Sequence, residues 1–237
     1  MTEPESRQDT KRERSPQRDS ETILCKRSKI HDPIAEYVTH IPGVFKPVPD
    51  DVDALWNTLW SVVKPTPNRW RRNTFIKRRQ CSLFPPSSEW QHYRFANQIN
   101  TSLDTETWWE HPLLTQARAI LLDHAGWPKG SPYFLHINLM PDGAGVGAHS
   151  DADPSIIQPH SDIVALTLTS QPADYAPLVI TDKHGRTKPR TFNIRGGDVY
   201  VMHAGMQESS FLHSIRPRTT PGSRRISITG RMLPINT

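Results

Sequence analysis

The second half of the chain alternates short apolar runs with turn residues, and this pattern constrains the fold more than any other feature. Six runs of five to eight residues follow one another after residue 131, without a helical pattern between them. They are YFLHINLM, DIVALTLT, PLVITD, RTFNI, DVYVM and RRISITGR. Turn residues such as Pro141-Asp142-Gly143 and Gly196-Gly197-Asp198 separate them. Short strands joined by turns predict an antiparallel sandwich or barrel.

Two amphipathic helices are predicted before this β-rich half. The segment DVDALWNTLWSVV has apolar residues at spacings of three and four, with Asp50 or Asp51 as its N-terminal cap. Pro112 suits the first turn of a second helix, which Gly126 closes. Residues 83–106 hold few periodic signals and are interpreted as loops. The expected fold class is α+β, with helices first and an all-β core after them.

Length and composition indicate one folded domain with an N-terminal extension. A chain of 237 residues is long enough to bury one sizeable core. Residues 1–31 contain eight Lys or Arg and six Asp or Glu, so they are predicted to form a disordered tail. Lys11-Arg12 and Lys26-Arg27-Ser28-Lys29 resemble a two-part nuclear import signal, although basic pairs are also common in disordered tails.

The sequence predicts an intracellular protein, nuclear or cytoplasmic, that acts as a monomer without membrane association. No stretch approaches the roughly 18 apolar residues that span a bilayer, and the first residues lack the apolar run of a secretory signal. The two cysteines, Cys25 and Cys81, have unrelated surroundings, which fits a reducing compartment and argues against structural zinc.

A basic segment, NRWRRNTFIKRRQ, interleaves arginine and lysine with aromatic residues at positions 68–80. Basic groups neutralise phosphates and aromatic rings stack on bases, which is how unpaired nucleic acid is gripped. We therefore expect Trp70, Arg71, Arg72 and Arg78 to contact a nucleic-acid substrate. The alternative is a solvated strand or loop whose aromatic side chains belong to the core.

The motif His-Ser-Asp occurs twice, at His149-Ser150-Asp151 and at His160-Ser161-Asp162. In an extended segment residues i and i+2 point the same way, so this spacing suits two ligands of one metal. His149 follows the glycine-rich segment PDGAGVGA, where a backbone can approach a ligand closely. Asp162 instead begins an apolar strand, which suits a turn or a supporting pair. We expect the first copy to bind the metal.

Four motifs in order resemble the catalytic core of AlkB-type dioxygenases. They are Ile137-Asn138 followed by PDGAGVGAHSDAD, the strand DIVALTLT, GGDVYVMHAG followed by FLHSI, and the closing RRISITGR. The resemblance implies N-terminal helices packed on a double-stranded β-helix, or jelly-roll, core. It implies a single domain at 32–237, with a helical and nucleotide-lid part at 32–130 and the core at 131–233.

The resemblance also implies a cofactor and the residues that bind it. Fe(II) is expected to bind His149, Asp151 and His213, with 2-oxoglutarate as co-substrate and O2 as oxidant. Read from the residues alone, His213 could also be an ordinary core histidine, because it lies among Phe211, Leu212 and Ile215. The remaining implied roles are 2-oxoglutarate binding by Arg225, Arg231 and Asn138, and contact with the substrate base by Asp153.

Three positions depart from the family pattern. Met140 stands where the family often has a tyrosine whose hydroxyl touches 2-oxoglutarate. This removes a hydrogen bond worth about 0.5–1.5 kcal/mol net. Ser227 replaces a frequent asparagine, and Gly230 replaces an aromatic residue.

The function implied is oxidative demethylation of N-methylated bases in DNA or RNA, with release of succinate, carbon dioxide and formaldehyde. The partner would be methylated nucleic acid, either single-stranded or with the base flipped out of its stack. Two alternatives stay open. One is a 2-oxoglutarate-dependent hydroxylase of a protein or small molecule, and the other is a degenerate jelly roll that binds nucleic acid without chemistry.

Overall fold

The computed structural model describes most of the chain after residue 32. The described residues are 33–67, 75–86, 88–90, 94–95, 98–99, 101–151, 157–171, 173–206, 210–217 and 220–234. The tail predicted at residues 1–31 lies outside them and stays a prediction. None of the helices within the described ranges is long and apolar enough to cross a membrane.

The described part is mainly β-structure with three α-helices. The helices are α1 (Pro49–Val62), α2 (Thr105–Trp108) and α3 (Pro112–His124), and a short 3-10 helix spans Pro33–Glu36. The strands of the N-terminal half are β1 (Val38–Ile41), β2 (Pro65–Pro67), β3 (Phe75–Leu83), β4 (Arg94–Phe95), β5 (Gln98–Ile99) and β6 (Thr101–Ser102). Those of the C-terminal half are β7 (Tyr133–Pro141), β8 (Val146–His149), β9 (Ile163–Thr169), β10 (Tyr175–Asp182), β11 (Arg190–Arg195), β12 (Val199–Met202), β13 (Phe211–Ile215) and β14 (Arg224–Met232).

Two antiparallel sheets carry the architecture. The large sheet has the order β1-β12-β9-β14-β7-β3-β2, and β6 adds to β3 in parallel. The small sheet has the order β11-β10-β13-β8, and β4 pairs with β5 separately. All six strands predicted from the sequence are confirmed, as β7, β9, β10, β11, β12 and β14. This arrangement is consistent with the jelly-roll core that the sequence resemblance implies.

Helices α1 and α3 form where the apolar periodicity predicts them, but the predicted cap of α1 is wrong. The helix begins at Pro49 after Val48, and no side chain caps it. Pro49 has a backbone angle suited to a first helical position, so the helix starts before Asp50 and Asp51. Both carboxylates instead lie in the first turn, where they interact favourably with the positive end of the helix dipole.

The interpretation of residues 83–106 as loops is wrong in part. Within the described residues of this segment, β4, β5 and β6 are strands of two residues each, too short to show a period in the sequence. Helix α2 begins in the same segment, where the Asp104 carboxylate accepts a hydrogen bond from the backbone N–H of Thr107.

Two apolar clusters cover the two faces of the large sheet. The larger cluster joins Leu55 of α1 and Leu114 of α3 to Leu166 of β9. The second joins Ala165 of β9 to Leu178 of β10, so the small sheet lies over the opposite face. Every residue of β9 is buried, because its alternating side chains enter both clusters. This explains why residues 163–166 form a continuous apolar run instead of an alternating one.

Candidate functional site

A cavity opens between the two sheets beside the end of β8. Its empty volume, with the open mouth included, is about 610 Å³. Polar and charged side chains make up most of its lining. The lining residues are Arg78, Gln80, His136, Asn138, Met140, Val146, His149, Asp151, Tyr200, Met202, His213, Ile215, Ser227, Thr229 and Arg231.

Two histidines and one aspartate meet in this cavity. His149 ends β8 and lies directly opposite His213 of the neighbouring strand β13, so sheet register joins residues that are distant in sequence. Asp151 follows His149 by two residues, as the motif predicts. The three side chains offer ligand atoms that all lie within 4.8 Å of one another. The Asp151 carboxylate is 3.4 Å from His149 Nε2 and 3.7 Å from His213 Nε2.

Neighbouring groups hold these three side chains in orientation. The Nδ1 atom of His149 lies 2.8 Å from the carbonyl oxygen of Gly147, a contact that leaves Nε2 turned toward Asp151. A guanidinium nitrogen of Arg231 donates to Asp151 Oδ2 over 2.7 Å. Arg231 therefore occupies one carboxylate oxygen and favours metal binding through the other.

The protonation states of the buried groups suit metal binding. Burial alone would raise the pKa of Asp151, but the positive charge of Arg231 and the hydrogen bond with His149 hold it well below its usual value. Burial lowers the pKa of His213 to about 3, so its imidazole is neutral at physiological pH. Two imidazoles and one carboxylate are the donor set that non-haem ferrous enzymes use, and the residues present therefore fit Fe(II).

The second His-Ser-Asp copy has a different role in the structure. Asp162 accepts a hydrogen bond from the backbone N–H of Ala204 over 2.7 Å, and its other oxygen lies 3.1 Å from His203 Nδ1. His160 has a positive φ of 56°, which is a turn conformation. This copy stabilises the start of β9, and among the described residues the one group with metal-ligand geometry is that of His149, Asp151 and His213.

The two arginines expected to bind 2-oxoglutarate lie in adjoining cavities. Arg231 lines the cavity of the metal ligands together with Asn138. Arg225, six residues earlier on β14, lines a smaller cavity behind it. Arg225 is 2% exposed, and its Nε atom lies 3.5 Å from the Asp174 carboxylate. Sequence reasoning missed Asp174, because it lies in a loop and outside every motif.

The basic side chains of β3 point alternately to the two faces of the large sheet. Arg78 lines the cavity that contains His149, Asp151 and His213, which we call the metal-side cavity. Its guanidinium donates to the carbonyl oxygen of Gly145 over 3.1 Å. Arg79 points the other way, where its guanidinium lies 4.0 Å from the Trp60 ring centre and donates to the Val63 carbonyl oxygen over 2.9 Å. Arg79 thus stabilises the C-terminal end of α1. The remaining predicted substrate contacts lie outside the described residues: Trp70, Arg71, Arg72 and Asp153.

Two further residues of the cavity lining, His136 and Tyr200, were not predicted from the sequence. His136 lies two residues before Asn138 on β7, so strand alternation places it on the same face. Tyr200 lies on β12 and lines both cavities. The alternation of β12 was a usable signal, because Val199 and Val201 face the helices and Tyr200 and Met202 face the small sheet.

Comparison with known proteins gives one family match and several distant structural matches. The family model of the 2OG-Fe(II) oxygenase superfamily matches residues 25–231. The solved structure titled "The structure of OsALKBH1" matches with a TM-score of 0.49 and 16% identity, covering 82% of this chain and 97% of that chain. A Pseudomonas putida prolyl-4-hydroxylase matches with a TM-score of 0.47 and 17% identity, covering 86% of this chain and 96% of that chain. No curated protein sequence matches this chain.

Proposed function

The chain belongs to the 2OG-Fe(II) oxygenase superfamily, and on that premise we propose that it removes methyl groups oxidatively from N-methylated bases in DNA or RNA. The family match confirms the class of Fe(II)- and 2-oxoglutarate-dependent dioxygenases that the sequence motifs predicted. It also confirms the cofactors, because enzymes of this superfamily use Fe(II), 2-oxoglutarate and O2. The substrate is the part of the function that is proposed.

His149, Asp151 and His213 are the proposed iron ligands. The observation that carries this proposal is their convergence within 4.8 Å, with a neutral His213 and an ionised Asp151. Bound Fe(II), together with 2-oxoglutarate and O2, supplies oxidation of a C–H bond with release of succinate and carbon dioxide. The Gly147 carbonyl orients His149, and Arg231 holds the Asp151 oxygen that faces it.

Arg225, Arg231 and Asn138 are the proposed residues for 2-oxoglutarate. A dicarboxylate requires cationic partners in a site that excludes water, and both arginines are at least 95% buried. Arg231 also contacts Asp151, so it would link the co-substrate to the metal ligands. Arg225 lies farther back in the adjoining cavity, at a depth suited to the carboxylate that points away from the metal.

The position of Arg78 supports a nucleic-acid substrate, because this residue belongs to the basic segment and also lines the metal-side cavity. Its neighbour Lys77 is exposed and can neutralise a phosphate, with Trp70, Arg71 and Arg72 preceding it in the chain. Asp153, two residues after Asp151, is the proposed partner of an exocyclic amino group. The methylated base would leave its stack to reach the iron, which costs least in a single strand.

The first experiment compares the two histidine motifs. We expect His149→Ala to lose Fe(II) binding under anaerobic conditions, whereas His160→Ala, the matched variant of the other motif, keeps it. Only the wild type and His160→Ala should then release formaldehyde from methylated single-stranded oligonucleotides. Loss of iron in His160→Ala with retention in His149→Ala would refute the assignment of the ligands.

The second experiment tests the substrate class. Charge reversal at Arg71, Arg72 and Lys77 should reduce both oligonucleotide binding and formaldehyde release, with a weaker salt dependence of the remaining binding. Lys188→Glu, an exposed lysine after β10, is the control. Normal binding and turnover in the triple variant would argue for a protein or small-molecule substrate instead.

A further inference from the structure

The smaller cavity behind the metal-side cavity has a lining that is mostly apolar. Its empty volume, with any opening to solvent included, is about 280 Å³. Its lining residues are Met140, Thr167, Ala176, Ile194, Tyr200, Ile215, Arg225 and Ser227. Four of them, Met140, Tyr200, Ile215 and Ser227, also line the metal-side cavity, so the two spaces adjoin along these side chains. We call this smaller space the inner chamber.

The inner chamber contains one buried cation and three hydroxyl groups. Arg225 supplies the cation, and Thr167, Ser227 and Tyr200 supply the hydroxyls. The other four lining side chains have no strong hydrogen-bond donor. A ligand that enters from the metal side therefore meets a guanidinium, a few hydroxyls and otherwise apolar walls, which is a suitable lining for one end of a short dicarboxylate.

Tyr200 reaches the chamber across a strand. It lies on β12 beside Ala165 of β9, and Ala165 also lies beside Thr229 of β14. Because alanine has a short side chain, the tyrosine ring can extend over β9 toward β14. Its side chain interacts with that of Ser227, which lies two residues after Arg225, and all three side chains line the chamber. The tyrosine therefore shares the chamber with the arginine, although the two residues belong to strands that are not neighbours.

We propose that Tyr200 is a co-substrate-binding residue, whose hydroxyl donates a hydrogen bond to the 2-oxoglutarate carboxylate that Arg225 binds. This inference rests on the proposed function of Arg225. Tyr200 and Ser227 both line the chamber beside Arg225, so the tyrosine O–H can donate to a ligand that Arg225 binds there. Met140 lines the same space without a donor, so Tyr200 supplies from β12 a hydrogen bond that β7 lacks at this position.

The protonation state of Tyr200 is suited to this role. Burial raises its pKa to about 12, so the hydroxyl keeps its proton at neutral pH. The O–H is therefore a donor under all conditions in which the enzyme would bind a dicarboxylate. A hydrogen bond to a charged acceptor contributes more than one between neutral groups.

The test is an anaerobic calorimetric titration, in which 2-oxoglutarate is added to the Mn(II)-loaded full chain and the heat of binding is measured. We expect Tyr200→Phe to weaken 2-oxoglutarate binding by about 10- to 100-fold, the range for a lost hydrogen bond to a charged group. Its Mn(II) affinity should be unchanged, which shows that the metal ligands and the fold are intact. Tyr37→Phe is the matched control, because Tyr37 packs against Phe211 and lines neither cavity.

The outcomes separate this inference from the proposed function. If Arg225→Met abolishes 2-oxoglutarate binding and Tyr200→Phe binds it like the wild type, Tyr200 has only a structural role and this inference is wrong. If the wild type shows no metal-dependent binding of 2-oxoglutarate, both proposals fail. In steady-state assays Tyr200→Phe should raise the KM for 2-oxoglutarate with little change in kcat, whereas a purely structural defect would lower kcat as well.

Discussion

Asp151 shows how much of the candidate site depends on single buried side chains. The carboxylate is 3% exposed and lies among His149, His213 and Arg231. Burying a carboxylate costs several kcal/mol unless charges and hydrogen bonds compensate it. Here Arg231 compensates it on one oxygen, and a ferrous ion would do so on the other. Partners from three different strands therefore hold this carboxylate in a position and charge state suited to a metal ion.

A second buried ion pair, between Arg225 and Asp174, gives a prediction at the same scale. Both residues are 2% exposed. Asp174→Asn keeps the shape of the side chain but removes the charge beside a buried guanidinium, so we expect the free energy of unfolding to fall by about 3 kcal/mol. Chemical denaturation measures this loss.

The matched control is Glu110→Gln, which removes an exposed carboxylate that lies 3.9 Å from the Arg118 guanidinium. Its effect should stay below about 1 kcal/mol, because water screens an exposed carboxylate. Equal effects of the two variants would contradict the assignment of Asp174 as the buried counter-charge of Arg225.

At the scale of elements, the turn between β11 and β12 connects residues 40–45 to the large sheet. Asp198 accepts hydrogen bonds from the backbone N–H groups of Gly43 and Arg195 and lies 2.9 Å from His40 Nε2. The Phe45 N–H also donates to the Gly197 carbonyl oxygen over 3.0 Å. These contacts place β1 at the edge of the sheet and lead the chain into α1.

Gly197 makes that close approach possible, which leads to a second prediction. Its φ is +85°, and an added Cβ would lie 1.8 Å from the Phe45 carbonyl oxygen. Gly197→Ala should therefore lower the free energy of unfolding by about 3 kcal/mol or more, through backbone strain and displacement of residue 45. Gly185→Ala is the control, since it has a φ of +66° but nothing within 4 Å of the added Cβ. It should cost only about 1 kcal/mol, and thermal melting of both variants compares them.

Strands β8 and β13 were not predicted because their sequences lack a clear apolar alternation. Strand β8, VGAH, contains glycine and is half-exposed, and β13, FLHSI, carries His213 on a buried position. Both strands present site residues instead of a continuous apolar face. Elements that carry function are often the ones whose local sequence departs from the pattern of their fold.

At the scale of the whole molecule, the candidate site lies between the two sheets, so its ligands should stabilise the fold. Side chains from β3, β7, β8, β12, β13 and β14 line the metal-side cavity. A ligand that binds only the folded state adds stability by mass action, about 2.7 kcal/mol at a concentration of 100 times its Kd. For a domain of this size that corresponds to a rise in Tm of about 5–10 °C.

We therefore expect Mn(II) with 2-oxoglutarate to raise the Tm by this amount, and EDTA to reverse the shift. Asp151→Asn should lose the shift, because the variant lacks the anionic ligand. His160→Ala should keep it. A full shift in Asp151→Asn would mean that the stabilising metal binds elsewhere.

The sequence by itself determined six strands of the β-rich half, the family and the local His149-Ser150-Asp151 motif, because each depends on residues that are near one another in the chain. Apolar periodicity predicted both α1 and α3 and six strands, and ordered motifs predicted the cofactors.

Only the tertiary structure decided which side chains meet. It brought His213 opposite His149, assigned Asp162 to contacts with His203 and Ala204, separated Arg78 from Arg79, and brought Tyr200 to the chamber of Arg225. These are contacts between strands that are distant in sequence, and sheet register, which no local pattern encodes, determines them.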